Sequence, residues 1–161
     1  MELIIIKGKS NYGKTTIAKL IHNKLTEIKN FELQWMYYDH LKFPIEEKDL
    51  FEPRVPDFRS VFQYLGKNIG IISHGDSSRY AKQHIRQMIN DFHVDILIVC
   101  SSVDSLNWNM LNRDFGEYVK ENNIFEVTDA CWAANKSELI SVKEIMVMEI
   151  INHIKQICNR L

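Results

Sequence analysis

Leu3-Ile4-Ile5-Ile6-Lys7-Gly8-Lys9-Ser10-Asn11-Tyr12-Gly13-Lys14-Thr15-Thr16-Ile17 opens the chain with four consecutive apolar residues, a stretch bounded by two glycines, and the start of a new periodicity. The unbroken run Leu3 to Ile6 has the pattern of a strand buried on both faces of a parallel sheet. Ile17, Leu20, Ile21, Leu25 and Ile28 then recur at helical spacing, which predicts a helix ending near Asn30. Between the two, Gly8 to Thr15 satisfies every fixed position of G-x-x-x-x-G-K-[ST]. Glycines let the backbone adopt positive φ and turn successive N–H groups inward, and the following helix adds the positive end of its dipole. Such a turn is built to receive an anion.

Outward from this unit the chain alternates strand and helix. Phe31 to Tyr38 reads as a second strand closing at Asp39, and Ile69 to Ser73 as a third. Between them, His40 to Phe58 carries Pro44, Pro53 and Pro56 among charged residues and reads as an irregular excursion, followed by a short helix over Arg59 to Leu65. Ala81, Ile85, Met88, Ile89 and Phe92 mark one helix face, and Asp95 to Cys100 a fourth strand. Leu111, Phe115, Tyr118 and Val119 predict a further helix, Ile124 to Val127 a fifth strand, and Ser141 with Glu144 caps a long final helix from about Val142. Five strands separated by helices predict an α/β domain with a parallel sheet covered on both faces. No repeat or Gly/Ser linker divides residues 1–161, so one domain is expected.

Composition narrows the classes. A hydrophobic share of 45% and a charged share of 25% belong to a folding chain rather than a disordered one. Twenty basic residues against twenty-one acidic ones leave no global field for nucleic acid or anionic lipid. The apolar runs are too short for a membrane span or a signal peptide, and Cys100, Cys131 and Cys158 lack the close spacing of metal or redox motifs. A cytoplasmic protein with reduced, mostly buried cysteines is expected. The six histidines show no ligand spacing that would suggest a metal site.

On residues 8 to 15 the chain resembles the P-loop NTPase superfamily. The order of elements, with Asp39 closing strand two and a variable excursion next, further resembles the small-molecule and nucleoside monophosphate kinases of that superfamily. The resemblance implies a three-layer fold whose five-stranded parallel sheet runs 2-3-1-4-5, with both substrates at the carboxyl ends of the strands. It also implies that Gly8, Lys9, Ser10, Asn11, Tyr12, Gly13, Lys14, Thr15 and Thr16 hold the phosphates of a nucleoside triphosphate, expected to be ATP. Lys14 would neutralise the β- and γ-phosphates and Thr15 would hold Mg²⁺. Thr16 would meet the α-phosphate, or serve as an ordinary first-turn threonine.

The remaining candidates follow from the same likeness. Magnesium in these enzymes takes a second acid at the end of a neighbouring strand, and Asp76 in Ile71-Ile72-Ser73-His74-Gly75-Asp76 fits that role, as it fits an N-cap of the next helix. Asp39 stands where related kinases hold the acceptor hydroxyl or take its proton, and equally where a loop begins. Arg54, Arg59 and Arg79 are candidates for phosphate charge, and residues 40 to 58 for one wall of an acceptor pocket. Asn135-Lys136-Ser137-Glu138 approximates a guanine-reading motif, and Trp132 to Lys136 falls where a base would pack. One stretch departs from the kinase pattern: Ser101 to Asn112 contains no basic residue, where an arginine-rich lid would be expected. Two functions therefore stand open. One is a Mg-dependent kinase-like phosphotransferase acting on a small acceptor, the other a nucleotide-dependent switch with slow hydrolysis and a protein partner.

Overall fold

In the computed structural model, which describes residues 1–9, 12–38, 57–74, 78–103, 106–128 and 136–161, the opening apolar run lies inside a six-stranded sheet. The strands are β1 (Glu2–Gly8), β2 (Glu32–Tyr38), β3 (Phe58–Tyr64), β4 (Lys67–Ile72), β5 (Ile96–Ser102) and β6 (Val119–Val127). Four α-helices are described: α1 (Lys14–Glu27), α2 (Ser78–Asn90), α3 (Leu106–Phe115) and α4 (Lys136–Cys158). Alternation along β1 distributes its side chains between two cores. Ile4 and Ile6 pack with Ile17 and Ile21 of α1 and Ile150 and Ile154 of α4, while Leu3 and Ile5 pack with Ile85 of α2 and Met110 of α3. Each isoleucine fully buried this way contributes about 1.5–3 kcal/mol.

The expected α/β architecture is present, but the strand order differs from 2-3-1-4-5. The observed order is β2-β3-β4-β5-β1-β6. The strand predicted fourth, β5, stands between the third, β4, and the first, and β1 lies between β5 and β6. The chain passes from β4 through α2 into the neighbouring strand, the commonest arrangement for consecutive elements. All seven residues of β5 are buried, which demands an interior position.

The sheet is also mixed rather than wholly parallel, because residues 59 to 64 form a strand and not a helix, with Leu65 in the turn that follows. Phe58 and Phe62 face the α1 side and Val61 the α2 side, the two-residue alternation of a strand. β3 pairs antiparallel with both β4 and β2. Leu65 (φ 51°) and Gly66 (φ 75°) make the β3–β4 turn with two positive φ values, the conformation that suits a two-residue hairpin. Gly66→Ala is expected to cost about 1–2 kcal/mol in urea denaturation. An added Cβ would meet nothing within 4 Å, so the cost is conformational, and Gly116→Ala, equally uncrowded and without positive φ, is the neutral control.

Three boundaries moved. α1 stops at Glu27, with Asn30 left-handed (φ 76°) in the turn beyond it. β6 begins at Val119, in what the spacing predicts as helix, after a 3₁₀ turn at Gly116–Tyr118. α4 begins at Lys136, which places Ser141 inside the helix instead of at its cap. Among the described residues no helix is long and apolar enough to cross a membrane. Cys100 and Cys158 are buried, and Cys131 lies outside the described residues.

Candidate functional site

The two motif glycines serve different needs. Gly13 takes φ 84° and is the N-cap of α1, so positive φ is required there. Gly8 has no positive φ. A Cβ on it would approach the Val127 carbonyl to 3.0 Å, and glycine there lets β6 lie close against the end of β1. The α1 N-terminus has no side-chain cap and no acidic residue in its first turn, and its N–H groups and positive dipole face the loop.

Lys14 is 5% exposed, and its Nζ donates to the Lys9 carbonyl at 2.6 Å across the loop. Its ammonium is thus folded over the glycine turn rather than extended into solvent. The Lys9 ammonium lies 5.9 Å from the centre of the Tyr12 ring, which packs against the α1-side core. Thr15 Oγ1 donates to the Ser73 carbonyl at 3.3 Å, tying the start of α1 to the segment that leaves β4, while Thr16 is exposed. Ser10 and Asn11 lie outside the described residues.

Thr15 leads to a group of residues that the sequence reading did not assemble. Ser73 Oγ accepts from the Phe58 amide at 2.8 Å and donates to Asp57 Oδ1 at 3.1 Å. The other carboxylate oxygen of Asp57 lies 2.8 Å from His74 Nδ1. A carboxylate only accepts, so Nδ1 carries the proton and Nε2, shielded from solvent, is the second ring nitrogen. Burial alone would raise the Asp57 pKa. The hydrogen bonds and charge of His74, the Ser73 hydroxyl and the Lys19 ammonium outweigh burial and hold it below the ordinary value. The signal available in the sequence was an aspartate at the end of the proline-rich excursion and a histidine just past a strand. Neither is informative until the β3–β4 hairpin brings them together.

Other candidates separate. Arg59 is buried and committed to packing: its guanidinium lies 4.8 Å from the Tyr37 ring centre and 5.8 Å from that of Trp35, and it donates to Gln87. It is therefore part of the β2–β3 edge and is not presented to a phosphate. Arg79 is exposed in the first turn of α2. Asn107 is buried with its amide on the Cys100 carbonyl, and Trp108 packs against the α2-side core with the Lys7 ammonium 4.5 Å from its ring centre. Asp39, His40, Arg54, Asp76, Asp104 and residues 129–135 lie outside the described residues, with the whole of 39–56. No known protein family, curated protein or solved structure matches the chain.

Proposed function

We propose that the loop at residues 8–15 is a P-loop that binds a nucleoside triphosphate, expected to be ATP, with Mg²⁺, and that the protein transfers the γ-phosphoryl group to a small acceptor. The observation that carries this reading is the folded geometry of the motif: Gly13 left-handed at an uncapped helix N-terminus, with the Lys14 ammonium drawn over the turn. A glycine turn at a helix N-terminus is a ready anion site, and an ammonium drawn over that turn adds positive charge to it. Thr15 fits the metal, because its hydroxyl donates to a carbonyl and keeps lone pairs for a hard cation. Asp76 is the proposed second acid. Bound Mg²⁺ would supply charge neutralisation at the β- and γ-phosphates.

In the transfer, the acceptor hydroxyl oxygen bonds to the γ-phosphorus, the bond from that phosphorus to the β–γ bridging oxygen breaks, and the diphosphate leaves. The hydroxyl proton passes to a base. The Asp57–His74 pair is the group proposed for that role, since the carboxylate accepts from Nδ1 and leaves Nε2 as the ring's acceptor nitrogen. Asp39 is the alternative group for the same step. Asp57→Asn is expected to lower acceptor-dependent turnover about 100-fold while Mg-ATP affinity stays within about three-fold, a split that separates chemistry from binding. An unchanged turnover in Asp57→Asn together with a collapse in Asp39→Asn would transfer the role to Asp39.

The second reading is a nucleotide-controlled binding module in the cytoplasm with a protein partner. The lack of any basic residue in Ser101 to Asn112 favours it, because nothing there would clamp a migrating phosphoryl group. Measuring triphosphate consumption with and without a panel of small acceptors decides between the two. Acceptor-dependent turnover belongs to the kinase reading alone.

A further inference from the structure

Helices α1 and α4 pack along their buried sides, where Val147, Ile150 and Ile154 meet Ile17, Ile21 and Leu25. Beside that seam lies a groove of about 420 Å³, in the size range of sites that hold small organic molecules. Its lining comes from residues 20–27 of α1 and 144–148 of α4, and none of it from the glycine loop.

The walls divide by chemistry. Leu20 and Val147 form the apolar part together with Met148, which is 39% exposed and whose flexible thioether adapts to an apolar guest. Asn23 also lines the groove and is only 7% exposed, yet its amide oxygen is shielded from solvent and accepts no hydrogen bond. A shielded acceptor without a partner costs stability, and a bound N–H recovers it. Turning the amide about its broad terminal torsion presents that oxygen to the groove. Charge then narrows the guest. The Glu27 and Glu144 carboxylates line the groove with the Lys24 ammonium, which donates to Glu27 at 2.7 Å. Two carboxylates against one ammonium leave this lining negative. The Lys24 pKa lies above its ordinary value, first through the hydrogen bond and charge of Glu27 and then through the charge of Glu144, so both carboxylates act on the same space.

We propose that the groove between α1 and α4 binds a small organic cation, an ammonium carried on an apolar body, with its N–H on the Asn23 oxygen, its charge against Glu144 and its body on Leu20, Val147 and Met148. The site shares no residue with the glycine loop, so it does not depend on nucleotide binding. Phenylbutylamine, phenylbutanol and phenylbutanoate share one apolar body and differ in charge. Each would be titrated into the full chain at neutral pH, by calorimetry and by amide chemical shifts. The amine is expected to bind about ten-fold more tightly than the alcohol, as one charge-assisted contact predicts, and the carboxylate most weakly. Glu144→Gln is expected to bring the amine down to the level of the alcohol, and added salt to weaken the amine alone. Asn23→Leu is expected to weaken the amine about ten-fold without lowering the melting temperature, because the amide oxygen has no hydrogen bond to lose. Should that variant melt early, Glu144→Gln decides, since Glu144 is exposed. Equal affinity for amine and alcohol would show a groove that recognises apolar surface alone, as a protein interface does, and would overturn the proposal. So would amine affinity unmoved by Glu144→Gln, shifts confined to residues outside the two helices, or no amine binding at millimolar concentration.

Discussion

Lys14→Ala is expected to weaken Mg-ATP binding about 100-fold, close to 3 kcal/mol, while leaving stability nearly unchanged. The binding loss is large because the ammonium is buried over the turn, where water screens it little. Stability changes little because two effects oppose. The variant gives up the 2.6 Å bond to the Lys9 carbonyl, about 1 kcal/mol, and sheds a cation beside a positive helix end, a relief of about 0.3–1 kcal/mol. Calorimetric titration beside a thermal melt checks both halves. Equal affinity in wild type and variant removes the P-loop assignment, and a fall in stability that parallels the fall in affinity would recast Lys14 as a structural residue.

Acidification is expected to remove roughly 3 kcal/mol of stability between pH 6.5 and 4, through His22. This side chain of α1 lies fully buried against β3, edge-on to Phe58 and Phe62, with Nδ1 3.0 Å from the Ser60 hydroxyl. Burial penalises the charged imidazolium and pushes its pKa down to about 4 from an ordinary 6.5. Within that window the unfolded chain binds a proton that the folded chain refuses, so unfolding gains as the pH falls. The contribution is complete above pH 6.5 and is lost progressively down to about 4. Asp57 acts in a lower window. Its carboxyl is held below the ordinary aspartate value, so its stabilisation is present above that value and disappears only under stronger acid. Urea denaturation at pH 7.5, 5.5 and 4.5 measures the slope, and His22→Gln, uncharged throughout, should flatten it. A slope that persists undiminished in His22→Gln would show that another group carries it.

The errors of the sequence reading have physical causes. Arg59 to Leu65 carries apolar residues at 61, 62 and 65, a spacing compatible with a helix turn, and Leu65-Gly66 lacks the Asn-Gly or Asp-Gly that announces a hairpin. Pairing of β3 with both β2 and β4 overrode that local ambiguity. Arg59 was a candidate for phosphate charge because arginine makes bidentate phosphate contacts; in the fold it is buried beside Trp35 and Tyr37. Gly8 looked like a residue chosen for backbone freedom, and is there for the nearness of β6.

By itself, the sequence determined the features that are local. The apolar run at β1, the glycine loop and the spaced isoleucines of α1 are adjacent in the chain, and each obeys a periodicity or a steric rule that needs no distant partner. Only the tertiary structure decided which strands are neighbours, because β1 and β5 are equally apolar and burial on both faces says nothing about who lies alongside. It likewise decided that Thr15, Ser73, Asp57 and His74 form one chain of contacts, and that Asn23 and Glu144 line one groove. Those meetings depend on the hairpin folding β3 back along β4 and on α4 docking its isoleucines against α1 and the sheet. Residue spacing records which side of an element is buried, and the contacts between elements come only from how the buried sides fit together.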